Sequence, residues 1–104
     1  MKLTIFEKQV LFVKLIGKLI SFCYESGYSF TFGDAWASTG HKQNSNHYIR
    51  LAVDLNLFHG ASYLDKTEQH RFLGEYWESL HPLCRWGGRF GDGNHYSIEH
   101  EGRK

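Results

Sequence analysis

The sequence predicts an α+β domain in which helices pack on a small antiparallel sheet. Three observations lead there. A long amphipathic helix opens the chain, over residues 5–25. Short stretches with apolar residues at alternate positions follow, at 28–32, 50–57 and 95–99. A second helical pattern lies before the last of these, so the order reads helix, strand, strand, helix, strand.

Each element has its own reason. Thr4 with Glu7 fits a capping box, and Gly27 suits the left-handed position just past a helix end. Between them Ile5, Val10, Leu11, Val13, Leu15, Ile16, Leu19, Ile20 and Cys23 form a broad apolar stripe, expected to be buried. Glu7, Lys8, Lys14 and Lys18 interrupt the apolar run, so neither a signal peptide nor membrane insertion is expected. The competing reading is an amphipathic helix lying on a membrane surface. A domain of this size, however, needs the helix for its own core.

Tyr28, Phe30 and Phe32 alternate with Ser29 and Thr31, as in a half-buried strand. Residues 37–46, ASTGHKQNSN, read as a polar surface loop. In the stretch SNHYIRLAVDLNLF, residues 45–58, Leu51, Val53, Leu55 and Leu57 alternate, which predicts a strand over 50–57. HGASYLDK reads as a loop. Asp65 with Glu68 marks a helix start, and Phe72, Leu73, Tyr76, Trp77 and Leu80 recur at helical spacing until Pro82. The glycine-rich segment 83–94 reads as a loop with aromatic anchors, and HYSIE as a last short strand.

Composition narrows the function classes. The chain has 104 residues, 41% of them hydrophobic and 16% aromatic, which fits one folded domain, 1–104. Twelve Lys and Arg against eleven Asp and Glu leave a formal charge of +1, so no electrostatic case exists for nucleic acid. Cys23 and Cys84 are far apart and not in CxxC spacing, so free thiols are expected and a cysteine-ligated zinc is not.

Asp54 is the residue out of place. It sits in the most strand-like segment, on the face opposite the leucines and beside Ala52 and Asn56, with His47 seven positions earlier. His95 opens the last strand, and Asp92 stands three residues before it on a glycine-rich turn. If the two strands are neighbours, His47, Asp54 and His95 converge on one point with Asp92 beside them. Two imidazoles and a carboxylate, with one position left open, match a catalytic zinc site. A carboxylate outside the metal's ligand set can then move the proton of the attacking water. The competing reading makes Asp54 a strand-edge carboxylate and His95 a half-buried histidine bonded to a carbonyl.

The surrounding letters favour the metal. SNHYIRLAVDL resembles the Ser-x-His-x-x-Gly-x-Ala-x-Asp signature of the D-alanyl-D-alanine carboxypeptidase and L-alanyl-D-glutamate endopeptidase family of zinc peptidases, with Ser45, His47, Ala52 and Asp54 in register. WGGRFGDGNHYSIEH resembles the family's second motif, through Asp92 and His95. The resemblance covers about residues 25–100 and is nearest to the bacteriophage endolysin branch. It implies zinc held by His47, Asp54 and His95, Asp92 as the acid/base, and peptidoglycan peptides as substrate. Asp92 where many relatives carry Glu favours the endopeptidase branch.

Around these, Ser45 is expected to bond a ligand, and Trp86 to stand at the rim of the cleft. Arg50 occupies the signature's Gly position, either clamping a substrate carboxylate or oxyanion or pointing away to pair with an acid. Asp34 and Glu99 are further candidates to steady a ligand. His41, His59, His70, His81 and His100 have no carboxylate at useful spacing.

Expected localisation is the host cytoplasm before release to the cell wall. The chain stops at Lys104, soon after the last motif, so a closing segment is expected to be missing, and no separate wall-binding domain is expected. The bond cut and the oligomeric state stay open. Two other classes remain: a metal-dependent nuclease, suggested by DGNH, and a non-catalytic binding protein with the same fold.

Overall fold

A computed structural model describes residues 2–33 and 49–102. Helix α1 runs Ile5–Glu25. Thr4 accepts from the Glu7 amide at 3.1 Å and the Glu7 carboxylate accepts from the Thr4 amide at 2.8 Å, closing the capping box. At the other end Gly27, at φ +89°, donates to Tyr24 O, and Tyr28 donates to Cys23 O, both at 3.1 Å. These paired bonds satisfy carbonyls that the helix leaves open, and a side chain at Gly27 would strain the turn.

The stripe is narrower than expected. Phe12, Leu15, Ile16, Leu19 and Cys23 face the core, whereas Val10 and Val13 are exposed. At 100° per residue positions 10 and 13 fall on the side away from 12, 15, 16, 19 and 23.

Five strands form the antiparallel sheet: β1 (Ser29–Phe32), β2 (Ala52–His59), β3 (Ser62–Leu64), β4 (Cys84–Trp86) and β5 (His95–Ile98). The order is β1-β2-β5-β4, with β3 also paired to β2. Strands β3 and β4 lie in segments expected to be loops. Each is three residues long, too short for alternation to stand out, and each is stabilised by its neighbour: β3 folds back on β2, and β4 pairs with β5. Strand β2 begins at Ala52 rather than at residue 50, because Arg50 sits at φ +59°, outside the extended region.

Helix α2 spans Arg71–Leu80, after a 3-10 turn over Thr67–His70. The expected Asp65–Glu68 cap does not form. Its place is taken one residue on, where the Lys66 amide donates to Gln69 Oε1 at 2.9 Å, while Glu68 pairs with Arg71.

The core joins α1 and α2 to one face of the sheet. Val53, Leu55 and Leu57 of β2, Tyr96 and Ile98 of β5, and Trp77 of α2 are buried together with the inner face of α1. The Trp77 indole donates to the carbonyls of Arg85 and Ser97, both at 3.0 Å, tying α2 to β4 and β5. Cys23 and Cys84 are free and buried, and burial pushes their thiols up to about 11 and about 12. Among the described residues no helix is long and apolar enough to cross a membrane.

Candidate metal centre

The site lies on the sheet face turned away from the leucines. Strands β2 and β5 are neighbours, and Asp54 stands directly opposite His95 in their register. On the other edge of β2 the Gly33 amide donates to Asp54 O at 2.7 Å, so the backbone of Asp54 is held between two strands. A Cβ at Gly33 would lie 3.1 Å from Asp54 Cβ, so the small residue leaves the carboxylate its room. Of the three residues expected to converge, Asp54 and His95 are thus neighbours, and His47 lies outside the described residues.

His95 Nδ1 lies 3.4 Å from Asp54 Oδ1, with the two side chains 7% and 18% exposed. Two ligand atoms on one tetrahedral zinc, each about 2.0–2.2 Å from it, stand about 3.3–3.6 Å apart. The observed separation fits that edge, and an imidazole with a carboxylate is a donor pair suited to zinc. Asp92 completes the group: one ligand-type atom from each of Asp54, Asp92 and His95 lies within 4.8 Å of the others. Asp92 is exposed, unlike His95.

The turn carrying Asp92 is fixed by close approaches. The Asp92 amide donates to Gly87 O at 2.9 Å, and the His95 amide to Asp92 O at 3.2 Å. A Cβ on Gly87 would come within 2.3 Å of Asp92 O and 2.6 Å of His95 Cβ, so only glycine lets the turn sit against the start of β5. Trp86 is part of this support. It is 1% exposed and lies in the core, not at the rim of a cleft. Its indole donates to Gly93 O at 2.8 Å, which anchors the turn from below. As the largest apolar surface in its segment, it is buried with α2 rather than offered to substrate.

A polar cleft of about 220 Å³ opens beside Asp92, lined by Tyr63, Asp65, Thr67, His70 and Asn94 among others. His70, set aside in the sequence, is buried here and shares a hydrogen bond with the Tyr96 hydroxyl at 2.9 Å. Burial, opposed by a bond to the Leu64 carbonyl, pushes it down to about 4, so it is neutral near pH 7. Its signal was the spacing 70, 73, 77, which places it on the core face of α2. Glu99 lies past the far end of β5, where it accepts from the Gly102 amide. His47 and Ser45, with Asp34, lie outside the described residues.

The family model described as D-alanyl-D-alanine carboxypeptidase matches residues 39–98, more than half of the chain. The chain therefore belongs to that family of zinc peptidases. No curated protein matches the sequence.

Proposed function

We propose that the chain is a zinc peptidase domain that hydrolyses peptide bonds in peptidoglycan stem peptides or cross-bridges, in the manner of a phage endolysin. The observation that carries the reading is the cross-strand pair Asp54–His95 with Asp92 beside it, inside the segment matched by the family model. The shared core of the described elements supports one domain.

In this reading His47, Asp54 and His95 hold the metal. When bound, zinc acts as a Lewis acid on the scissile carbonyl and makes water nucleophilic near neutral pH. Asp92 takes a proton from the attacking water and delivers it to the leaving nitrogen. Its exposure leaves it open to substrate and water, while buried His95 and half-buried Asp54 are held still by the strands. Trp86 acts through Gly93 to keep the turn in place, and Ser45 bonds a ligand. The single Asp in the second motif favours endopeptidase over carboxypeptidase action. A net charge of +1 gives a nuclease no electrostatic support.

The test is digestion of muramidase-solubilised peptidoglycan, read by mass spectrometry, with and without a chelator. New amino termini within the stem peptide that appear only without the chelator support an endopeptidase. Release of terminal D-alanine alone points to a carboxypeptidase. Unchanged fragments from zinc-loaded protein contradict the proposal.

A further inference from the structure

Asn56 follows Asp54 by two residues on β2, so its side chain emerges on the same face, about 7 Å further along the strand. Asn94 immediately precedes His95 and lines the cleft beside Asp92. The two amides meet across the strands: Asn94 Nδ2 donates to Asn56 Oδ1 at 3.3 Å. Asn56 Oδ1 also stands 3.6 Å from the point where a Cβ on Gly33 would lie. Both side chains are half-buried.

That single bond uses one donor and one acceptor. Among the described residues it leaves the Asn56 amide with its N–H donors and Asn94 with its carbonyl. Turning both amides over exchanges the roles and leaves the same complement, so the conclusion does not depend on which oxygen is which. A donor beside an acceptor, uncharged and fixed across two strands, is the complement of a peptide group. Successive residues of an extended chain repeat every 3.3–3.6 Å or so. A substrate chain with one peptide group at Asp54 and His95 therefore brings the peptide group two residues along to the amide pair.

We infer that Asn56 and Asn94 form the subsite that grips the peptide group two residues along from the cleaved bond, setting the substrate's register on the sheet. The inference rests on the peptidase reading of the site. The pair is a positioning element: it touches substrate away from the reacting atoms and handles no proton. Because its bonds are present in both the bound substrate and the transition state, its loss raises KM and leaves kcat nearly unchanged.

The test compares zinc-loaded wild type, Asn56→Ala and Asn94→Ala on solubilised stem peptides, with zinc content and Tm measured on the same samples. Each variant should raise KM about three- to tenfold, the effect of one neutral hydrogen bond, with kcat within about twofold. Zinc content should stay at the wild-type level. The Asn94→Ala effect should shrink on a substrate in which the N–H of the gripped peptide group is replaced by an ester oxygen, because the N–H that the Asn94 carbonyl would accept is already gone. Unchanged KM in both variants while wild type cleaves overturns this inference and leaves the peptidase reading intact. A lowered Tm with unchanged KM shows a cross-strand staple only, and also overturns it. Wild type that neither binds nor cleaves the stem peptides overturns both.

Discussion

Arg50 shows how one residue carries two kinds of information. The signature that the segment resembles has Gly at this position, and the backbone here is at φ +59°. The left-handed region costs a non-glycine residue about 1 kcal/mol or more, which accounts for glycine in the pattern. The requirement is for the turn that leads into β2, and so for the direction of the strand that carries Asp54. Arg50→Gly should therefore fold as stably as the native chain or up to about 1 kcal/mol more so, since relief of strain outweighs the added freedom of the unfolded chain. A denaturant midpoint checks this, and a clearly lower midpoint would show that the guanidinium contributes more than the backbone loses. KM on stem peptides reads separately whether that guanidinium also engages substrate.

At the scale of elements, the site depends on how α2 meets β4. Gly74 in the middle of α2 lies against Trp86, where a Cβ would come within 2.1 Å of the indole. Helix propensity alone favours alanine there by about 1 kcal/mol. Packing reverses the sign: Gly74→Ala should destabilise by about 1–3 kcal/mol, as overpacked cores do, and loosen the Trp86–Gly93 bond that holds the Asp92 turn. Chemical denaturation gives the sign directly, and a stabilised variant would mean that Trp86 is free to move. The elements themselves were unevenly legible. Helix α1 was readable end to end because Thr4, Glu7 and Gly27 are local signals. Strand β2 was readable from its alternation, and with it the side on which Asp54 emerges. Strands β3 and β4 were not, since three residues that are strands only by pairing leave no periodicity. The burial of Trp86 was hidden for the same reason: the glycine that makes room for it sits twelve residues earlier, on another element. Asn56 was legible on the face of Asp54, but its bond with Asn94 exists only in the register of β2 with β5.

At the scale of the whole molecule, the buried His70–Tyr96 pair links fold stability to pH. His70 titrates at about 4 when folded, against 6.5 unfolded, because burial disfavours its charged form. The unfolded chain therefore binds the proton first, and folding loses stability as pH falls from about 6.5 toward about 4, then levels off. Above 6.5 the neutral form prevails in both states and nothing is lost. For the zinc-free protein the loss between pH 7 and pH 5 should be about 2 kcal/mol. It is read from urea midpoints at the two pH values, in wild type and in His70→Gln. Equal midpoint shifts in the two proteins would remove His70 from the explanation. Asp65 and Asp92 line the same cleft, and their charges would act to soften the loss.

The central claim is that Asp54 and His95 hold a catalytic zinc while Asp92 works beside it. Zinc stoichiometry measured on purified wild type, His95→Ala, Asp54→Asn and Asp92→Asn, each also assayed on stem peptides, tests it most directly. Wild type should carry one zinc per chain. His95→Ala should lose it, because the remaining ligands cannot hold the metal tightly. Asp54→Asn should bind it more weakly, an amide being a poorer ligand than a carboxylate. Asp92→Asn should keep its zinc and lose about 10²- to 10⁴-fold in kcat, since an amide does not accept a proton at neutral pH. Zinc retained at native affinity by His95→Ala, or lost by Asp92→Asn while Asp54→Asn retains it, would contradict the account.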